Sequence, residues 1–256
     1  MKIIERASMT FARQLFTRGT DIFGAEEIKK VFGLEIDVPL ISATENELHH
    51  ARKFGQMLVY QPQGITMRKI HELVDNKTSD SRPLLYSVDW YANKSFYTSE
   101  SLRPGWRLIT RELIPGSRNK NYLDQTQILC DYVGQVFGSE LPDIDREAIA
   151  EFQSQKKELV KLLNSDWQEV ARRPVGLRVN QLYRESPAEA LWSLTLYEGV
   201  NHERLLSSGS WSWTNELSSS GGIVGVGGFG EDGVGVYGDD PGYSYGSRGV
   251  RFSRSL

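Results

Sequence analysis

Gly225, Gly227 and Gly230 spell G-x-G-x-x-G inside the stretch IVGVGGFGEDGVGVYGDD, residues 223–240. In a dinucleotide site such glycines join a strand to a helix, and the helix N-terminus receives the pyrophosphate. Here Gly230 is followed by EDGVGVYGDDPGYSYGSRG, whose glycines and proline forbid a helix. A kinase-type loop would share the spacing and Phe229, but it needs a lysine on a following strand, and the last lysine of the chain is Lys161. GGFGEDGVG, residues 227–235, also fits one copy of the calcium β-roll pattern. The next nine residues do not repeat it, and a single turn of that architecture cannot bury its own core. Asp232 is therefore expected to be a turn acid.

Other chemistry is sparse. The four histidines are His49, His50, His71 and His202, and the adjacent pair points apart on a predicted helix. H-E-x-x-H, C-x-x-C, G-x-S-x-G and the P-loop are absent. Cys130 is alone, which excludes an internal disulfide and suits a reducing compartment. No cofactor, metal site or catalytic set is expected. A net charge of −3 gives no sign of general nucleic-acid binding. The N-terminus lacks an apolar signal core, and no run approaches the roughly 20 apolar residues of a membrane span. These features predict a cytoplasmic protein with no membrane partner.

The elements that would position a site change character along the chain. GAEEIKKVFG carries acids first, lysines later and a glycine stop. TENELHHARKFGQMLVY opens on a Thr44 cap with Glu47 three residues on, and places Leu48, Ala51 and Phe54 on one helical face. TMRKIHELV is a further short helix. The polar NKTSDSRP, residues 76–83, marks a boundary. Aromatic and β-branched residues after it predict strands and extended segments up to Ser117. NYLDQTQILCDYVGQVF, DREAIAEFQSQKKELVKLLNSDW and SPAEALWSLTLYEG predict helices; the second turns Ile149, Phe152, Leu159 and Leu163 one way, and the third has Ser186, Pro187 and Glu189 as cap, first residue and capping-box partner. Trp90, Trp106, Trp192 and Trp213 read as core. From Trp211 onward only strands, turns and loops are expected. Half of the glycines, 12 of 24, fall between Gly221 and Gly249.

That tail separates into two interleaved sets. One is regular: Ile223, Val224, Val226, Phe229, Val234, Val236, Gly249, Val250 and Phe252 fit strands with a buried side, and GVRFSRSL predicts Val250 and Phe252 inward, Arg251 and Ser253 outward. The other holds Gly225, Gly228, Gly230, Asp232, Gly235, Tyr237, Gly238, Asp240, Tyr243, Ser244, Tyr245, Gly246 and Ser247. Gly, Tyr, Asp and Ser alone are close to the vocabulary of antibody loops, where Tyr gives rigid amphipathic contact and Gly and Ser give adaptability.

The stretch WTNELSSSGGIVGVGGFGEDGVGVYGDDPGYSYGSRGVRFSRSL resembles the C-terminal variable regions of diversity-generating retroelement target proteins. RPGWRLITRELIPGSRNKNYLDQT, NHERLL and ENELHHARKFGQMLVY resemble the same family, so the likeness covers most of the chain. PGWRLITRE and GVRFSRSL are also similar to the broader group with the formylglycine-generating-enzyme type of C-type lectin fold. The resemblance implies an α+β protein: a small helical region over residues 1–81, then a C-type lectin-like domain over 82–256 with a hypervariable part at about 222–255. It implies that a reverse transcriptase copies a template imperfectly at adenines, so that Asn codons drift to Gly, Asp, Ser and Tyr. All thirteen residues of the second set are reachable that way and become the expected ligand-binding positions, with Tyr237, Tyr243 and Tyr245 as anchors and Asp232 and Asp240 as polar contacts. Phe229, Gly233, Pro241, Gly249, Val250 and Phe252 match scaffold positions, and Gly227 joins them. Asp239 departs from the bulky residue expected there. The partner is an unknown protein or other macromolecule, not a nucleic acid. The enzymatic cousins use a cysteine pair near the C-terminus, which this chain lacks. Two further readings stand beside this one: a lectin-like or carbohydrate-binding module of fixed specificity, and an enzyme on the same scaffold.

Overall fold

Local capping chemistry sets most of the helices. The computed structural model describes residues 2–163 and 166–256 and begins with α1 (Lys2–Leu15) and the short strand β1 (Ile22–Phe23). In α2 (Ala25–Phe32) the acids stand in the first turn, the lysines in the last, and Gly33 ends the helix. α3 (Glu45–Lys53) starts on a reciprocal cap: Glu47 N–H donates to Thr44 Oγ1 at 3.2 Å and Thr44 N–H to Glu47 Oε2 at 2.9 Å. The helix expected across ENELHHARKFGQMLVY stops at Lys53. Gln56–Gln61 is instead a strand, β2, buried on both faces at the centre of a sheet, where an unbroken apolar run fits a strand as well as a helix. α4 (Met67–Leu73) follows a Thr66 cap. Of the extended segments expected next, only β3 (Gly105–Thr110) is a strand. Val88–Trp90 is a 3₁₀ turn and Ser95–Thr98 a one-turn helix, α5.

Then come α6 (Tyr122–Phe137), α7 (Asp143–Leu162), α8 (Trp167–Gly176), α9 (Arg178–Tyr183) and α10 (Pro187–Asn201). Phe152 and Leu159 of α7 are buried, with Ile149 and Leu163 packed beside them. Asn164 and Ser165, also within the helical stretch expected there, lie outside the described residues, as does Met1. α8 and α9 are helices that no pattern described above predicts. α10 has the expected cap, Glu189 N–H donating to Ser186 Oγ at 3.2 Å, and is buried continuously from Pro187 to Glu198. The tail holds β4 (Trp211–Leu217), β5 (Ile223–Gly230), β6 (Gly233–Asp239), β7 (Arg248–Gly249) and β8 (Ser253–Ser255).

The chain is α+β with two four-stranded sheets, ordered β1-β2-β3-β8 and β6-β5-β4-β7. The first takes β1 and β2 from before residue 81 and β3 and β8 from after it. β2 and β3 pair antiparallel from Gln56↔Thr110 to Gln61↔Gly105, and β8 pairs with the far side of β3. α10 packs against α2, α4 and β5. Its Trp192 stacks on Phe32 at 4.1 Å, and the indole Nε1 donates to Tyr60 O at 3.0 Å. Val250 and Phe252 belong to a second core with α6, α7 and α9.

Arg251 and Ser253 do not face outward as expected; both are fully buried. The tail runs between the α6–α9 core on one side and β3 with α10 on the other, so both of its faces are covered. Polar residues survive there by being partnered. Arg251 Nε donates to Thr110 O at 2.8 Å, and its Nη1 lies 3.2 Å from Ser193 Oγ and 3.3 Å from Glu185 Oε2. Ser253 Oγ accepts from Arg107 Nε at 2.8 Å. Burial alone would raise the Glu189 carboxyl, but Arg107 and Arg103 hold it below the usual range. Among the described residues no helix is long and apolar enough to cross a membrane.

Candidate functional site

The second sheet explains its glycines through register. In WSWTNEL, Trp211 and Trp213 share one face of β4; they stand opposite Gly227 and Gly225 of β5, which in turn face Gly235 and Tyr237 of β6. Ser212, Val226 and Val236 fill the other face, and the valines enter the core. Bare glycine backbone leaves room for indoles on the first face. Trp213 is buried there, stacked on Tyr122 at 5.3 Å, with the Arg248 guanidinium 6.0 Å from its ring. Trp211 is half-buried and meets Tyr237 at a tilted 5.1 Å.

The glycines fall into two physical classes. A Cβ at Gly227 would overlap Ser210 O and lie 2.7 Å from Trp211 Cα, and one at Gly233, where φ is +101°, would lie 2.8 Å from Leu84 C and O. Those obstacles are main chain. A Cβ at Gly235 would overlap Trp211 Cη2, and one at Gly228 would overlap Trp211 Cζ2. Those obstacles are the outer edge of one side chain. Gly225 has Trp213 Cδ1 at 3.3 Å from its would-be Cβ, and Gly230 has open room.

Five of the expected positions line one hollow of about 670 Å³: Gly228, Gly230, Asp232, Gly235 and Tyr237. Tyr86, Arg204 and Trp211 are among the other residues that line it. Six more sit in the loop before β7. Asp240 Oδ1 accepts from Gly242 N–H at 2.7 Å and closes a turn. Tyr243, 53% exposed, meets Tyr245 edge-on at 5.7 Å. Ser244 and Gly246 are exposed and Ser247 half-buried. The loop is fastened from both sides: Asn119 N–H donates to Tyr245 O at 3.0 Å and Trp211 N–H to Ser247 O at 2.8 Å. Arg248 lies over the Tyr245 ring at 4.3 Å and pairs with Asp239, so the residue that departed from the expected bulky type serves as an ion-pair partner. Trp211 joins the two groups, touching Tyr237 with its ring and Ser247 with its backbone.

The remaining two positions stand apart. Gly225 is covered by Trp213. Gly238 faces Ser218, whose Cβ and Oγ would both be 2.8 Å from an added Cβ, and not the hollow. Trp211, Tyr86, Arg204 and Arg248 were not singled out as site residues by sequence. For Trp211 the signal was present, as two indoles at alternate positions facing strands rich in glycine. Tyr86 and Arg204 come from distant loops and carried none.

The phosphate-loop spelling of the glycines does not find its geometry. After Gly230 the chain turns through Glu231 and Asp232 straight into β6, where a phosphate loop needs a helix. His202 Nδ1 is 2.9 Å from Ser79 Oγ, which is 2.5 Å from Glu198 Oε1. A nucleophile relay places the imidazole between hydroxyl and carboxylate. Here the hydroxyl is in the middle and its proton goes to Glu198, so the contact ties the loop containing Ser79 onto α10. Among the described residues no group of three or more His, Cys, Asp or Glu is placed to hold a metal ion. In comparison with known proteins, no family model, curated protein or solved structure matches the chain.

Proposed function

We propose that this chain is a non-enzymatic ligand-binding protein, with a C-type lectin-like domain whose C-terminal face displays residues diversified by a retroelement. One observation carries the reading. Ile223, Val224, Val226, Phe229, Val234 and Val236 are buried to 1% exposure or less, while Asp232, Tyr237, Tyr243, Ser244 and Gly246 of the interleaved set are exposed, and Gly225 and Gly235 of that set lie buried against the indoles of Trp213 and Trp211. A scaffold that keeps its core letters and frees the letters between them can change its surface without changing its fold. The ligand is a protein or another macromolecule, gripped by Tyr237, Tyr243 and Tyr245 and oriented by Asp232 and Asp240. The lectin-like part of the proposal is supported by the return of β8 to the first sheet, so that the chain enters and leaves the second sheet between β3 and β8.

The test is in the DNA. Sequencing the locus across separate isolates is expected to find substitutions concentrated in the thirteen codons, with a near-repeat of this region and a reverse-transcriptase gene beside it. Substitutions spread evenly over both sets, with neither neighbour present, would leave a lectin-like module of fixed specificity.

A further inference from the structure

Trp211 is half-buried, where Trp106, Trp192 and Trp213 are buried. Trp106 Nε1 donates to Pro39 O at 2.7 Å and Trp192 Nε1 to Tyr60 O at 3.0 Å. Trp213 is packed on Tyr122 and fully enclosed, its Nε1 buried without an acceptor. Among the described residues no protein acceptor takes the Nε1 of Trp211, and its ring rests on Gly228, Gly235 and the edge of Tyr237. The ring therefore fills the volume that side chains at positions 228 and 235 would claim. Gly235 differs from Gly227 and Gly233, whose would-be Cβ atoms meet main chain, and from Gly228, whose φ of +58° strains any side chain wherever the ring lies.

We propose that Trp211 is the specificity-determining movable wall of the hollow. With glycine at 228 and 235 the indole lies down on the sheet and closes the floor. A side chain at 235 turns it outward, where it becomes a raised wall beside Tyr237 and changes the hollow's depth and shape. One fixed residue thus converts the identity of its neighbour at 235 into a different surface. The consequence for ligand choice rests on the binding function proposed above. The movement itself does not, and its test needs no ligand.

The experiment labels the six tryptophans with 5-fluorotryptophan, assigns the Trp211 resonance by its loss in Trp211→Phe, and compares wild type with Gly235→Ala and Gly233→Ala. Gly235→Ala is expected to melt within about 5 °C of wild type and to move the Trp211 resonance alone. Gly233→Ala is expected to lose more than about 10 °C or to yield no folded protein. A Gly235→Ala protein as damaged as Gly233→Ala overturns the proposal. Rescue of such damage by adding Trp211→Ala also overturns it, since the ring would then obstruct without moving. A folded Gly235→Ala protein with an unshifted Trp211 resonance overturns it as well. Failure of the locus test with success here leaves a movable wall on a surface that is not diversified, so the two outcomes are separable.

Discussion

Glycine at position 227 and glycine at position 235 look alike in sequence and differ in what surrounds them. At Gly227 an added methyl group meets Ser210 O, part of the chain that feeds β4. Relieving the overlap means shifting paired strands, so Gly227→Ala is expected to cost at least about 2 kcal/mol in urea unfolding, with an unchanged slope. A loss below about 0.5 kcal/mol would show that the strand gives way there. Sequence assigned Gly227 and Gly233 to the scaffold through resemblance, and the close approach of backbone supplies the physical reason. It could not have found the obstacle itself, because Ser210 and Leu84 reach these glycines across the sheet and not along the chain. Arg251 teaches the same lesson from the other side. Its alternation with Val250 and Phe252 is real, but alternation separates two faces without saying whether the second meets water.

At the scale of elements, whatever is decided within four or five residues was legible. Thr44 with Glu47, Ser186 with Pro187 and Glu189, and the acids and glycine around α2 all mark true helix ends, because a cap satisfies its own neighbours. β2 was hidden because Met57, Leu58 and Val59 satisfy either periodicity, and only pairing with β3 decides between them. β4 carries a separate consequence at Glu216. Burial, with Glu100 nearby, pushes this carboxyl up to about 7. In the unfolded chain it titrates near the ordinary glutamate value of about 4.3. Between those values the folded state holds a proton that the unfolded state has released, so stability falls as pH rises through that window and is level above it. Glu216→Gln is expected to be more stable than wild type by about 1 kcal/mol at pH 8, after allowing for solvent screening, and equal to it at pH 4. Denaturant melts at the two values check this, and an equal difference at both would exclude the linkage.

The whole molecule is joined through its last residues. Arg251 reaches β3 through Thr110 and α10 through Ser193, and approaches Glu185 at the start of that helix. Burial pushes the Glu185 carboxyl up, and Arg251 opposes that shift. Removing the cation strands the acid, so Arg251→Met is expected to cost about 3–5 kcal/mol, while Arg251→Met with Glu185→Leu recovers most of the loss. Chemical unfolding of the three proteins measures both, and a double variant no better than the single one would refute the pairing as the source. Sequence alone placed the break at residue 81 because the polar stretch there ends a run of helices. Strand pairing across that point depends on Gln56–Gln61 meeting Gly105–Thr110, which no local pattern announces.

The stretch from Gly222 to Ser253 is fastened at both ends, beside β4 at one and β3 at the other. Such a span tolerates exchange of its exposed side chains far better than a change in its length. One residue inserted between Tyr243 and Ser247 and carried through to the C-terminus would move Arg251 off Glu185 and put Val250 where Arg251 belongs. Variation by letter is therefore compatible with this architecture, and variation by count is penalised at a point far from where it occurs.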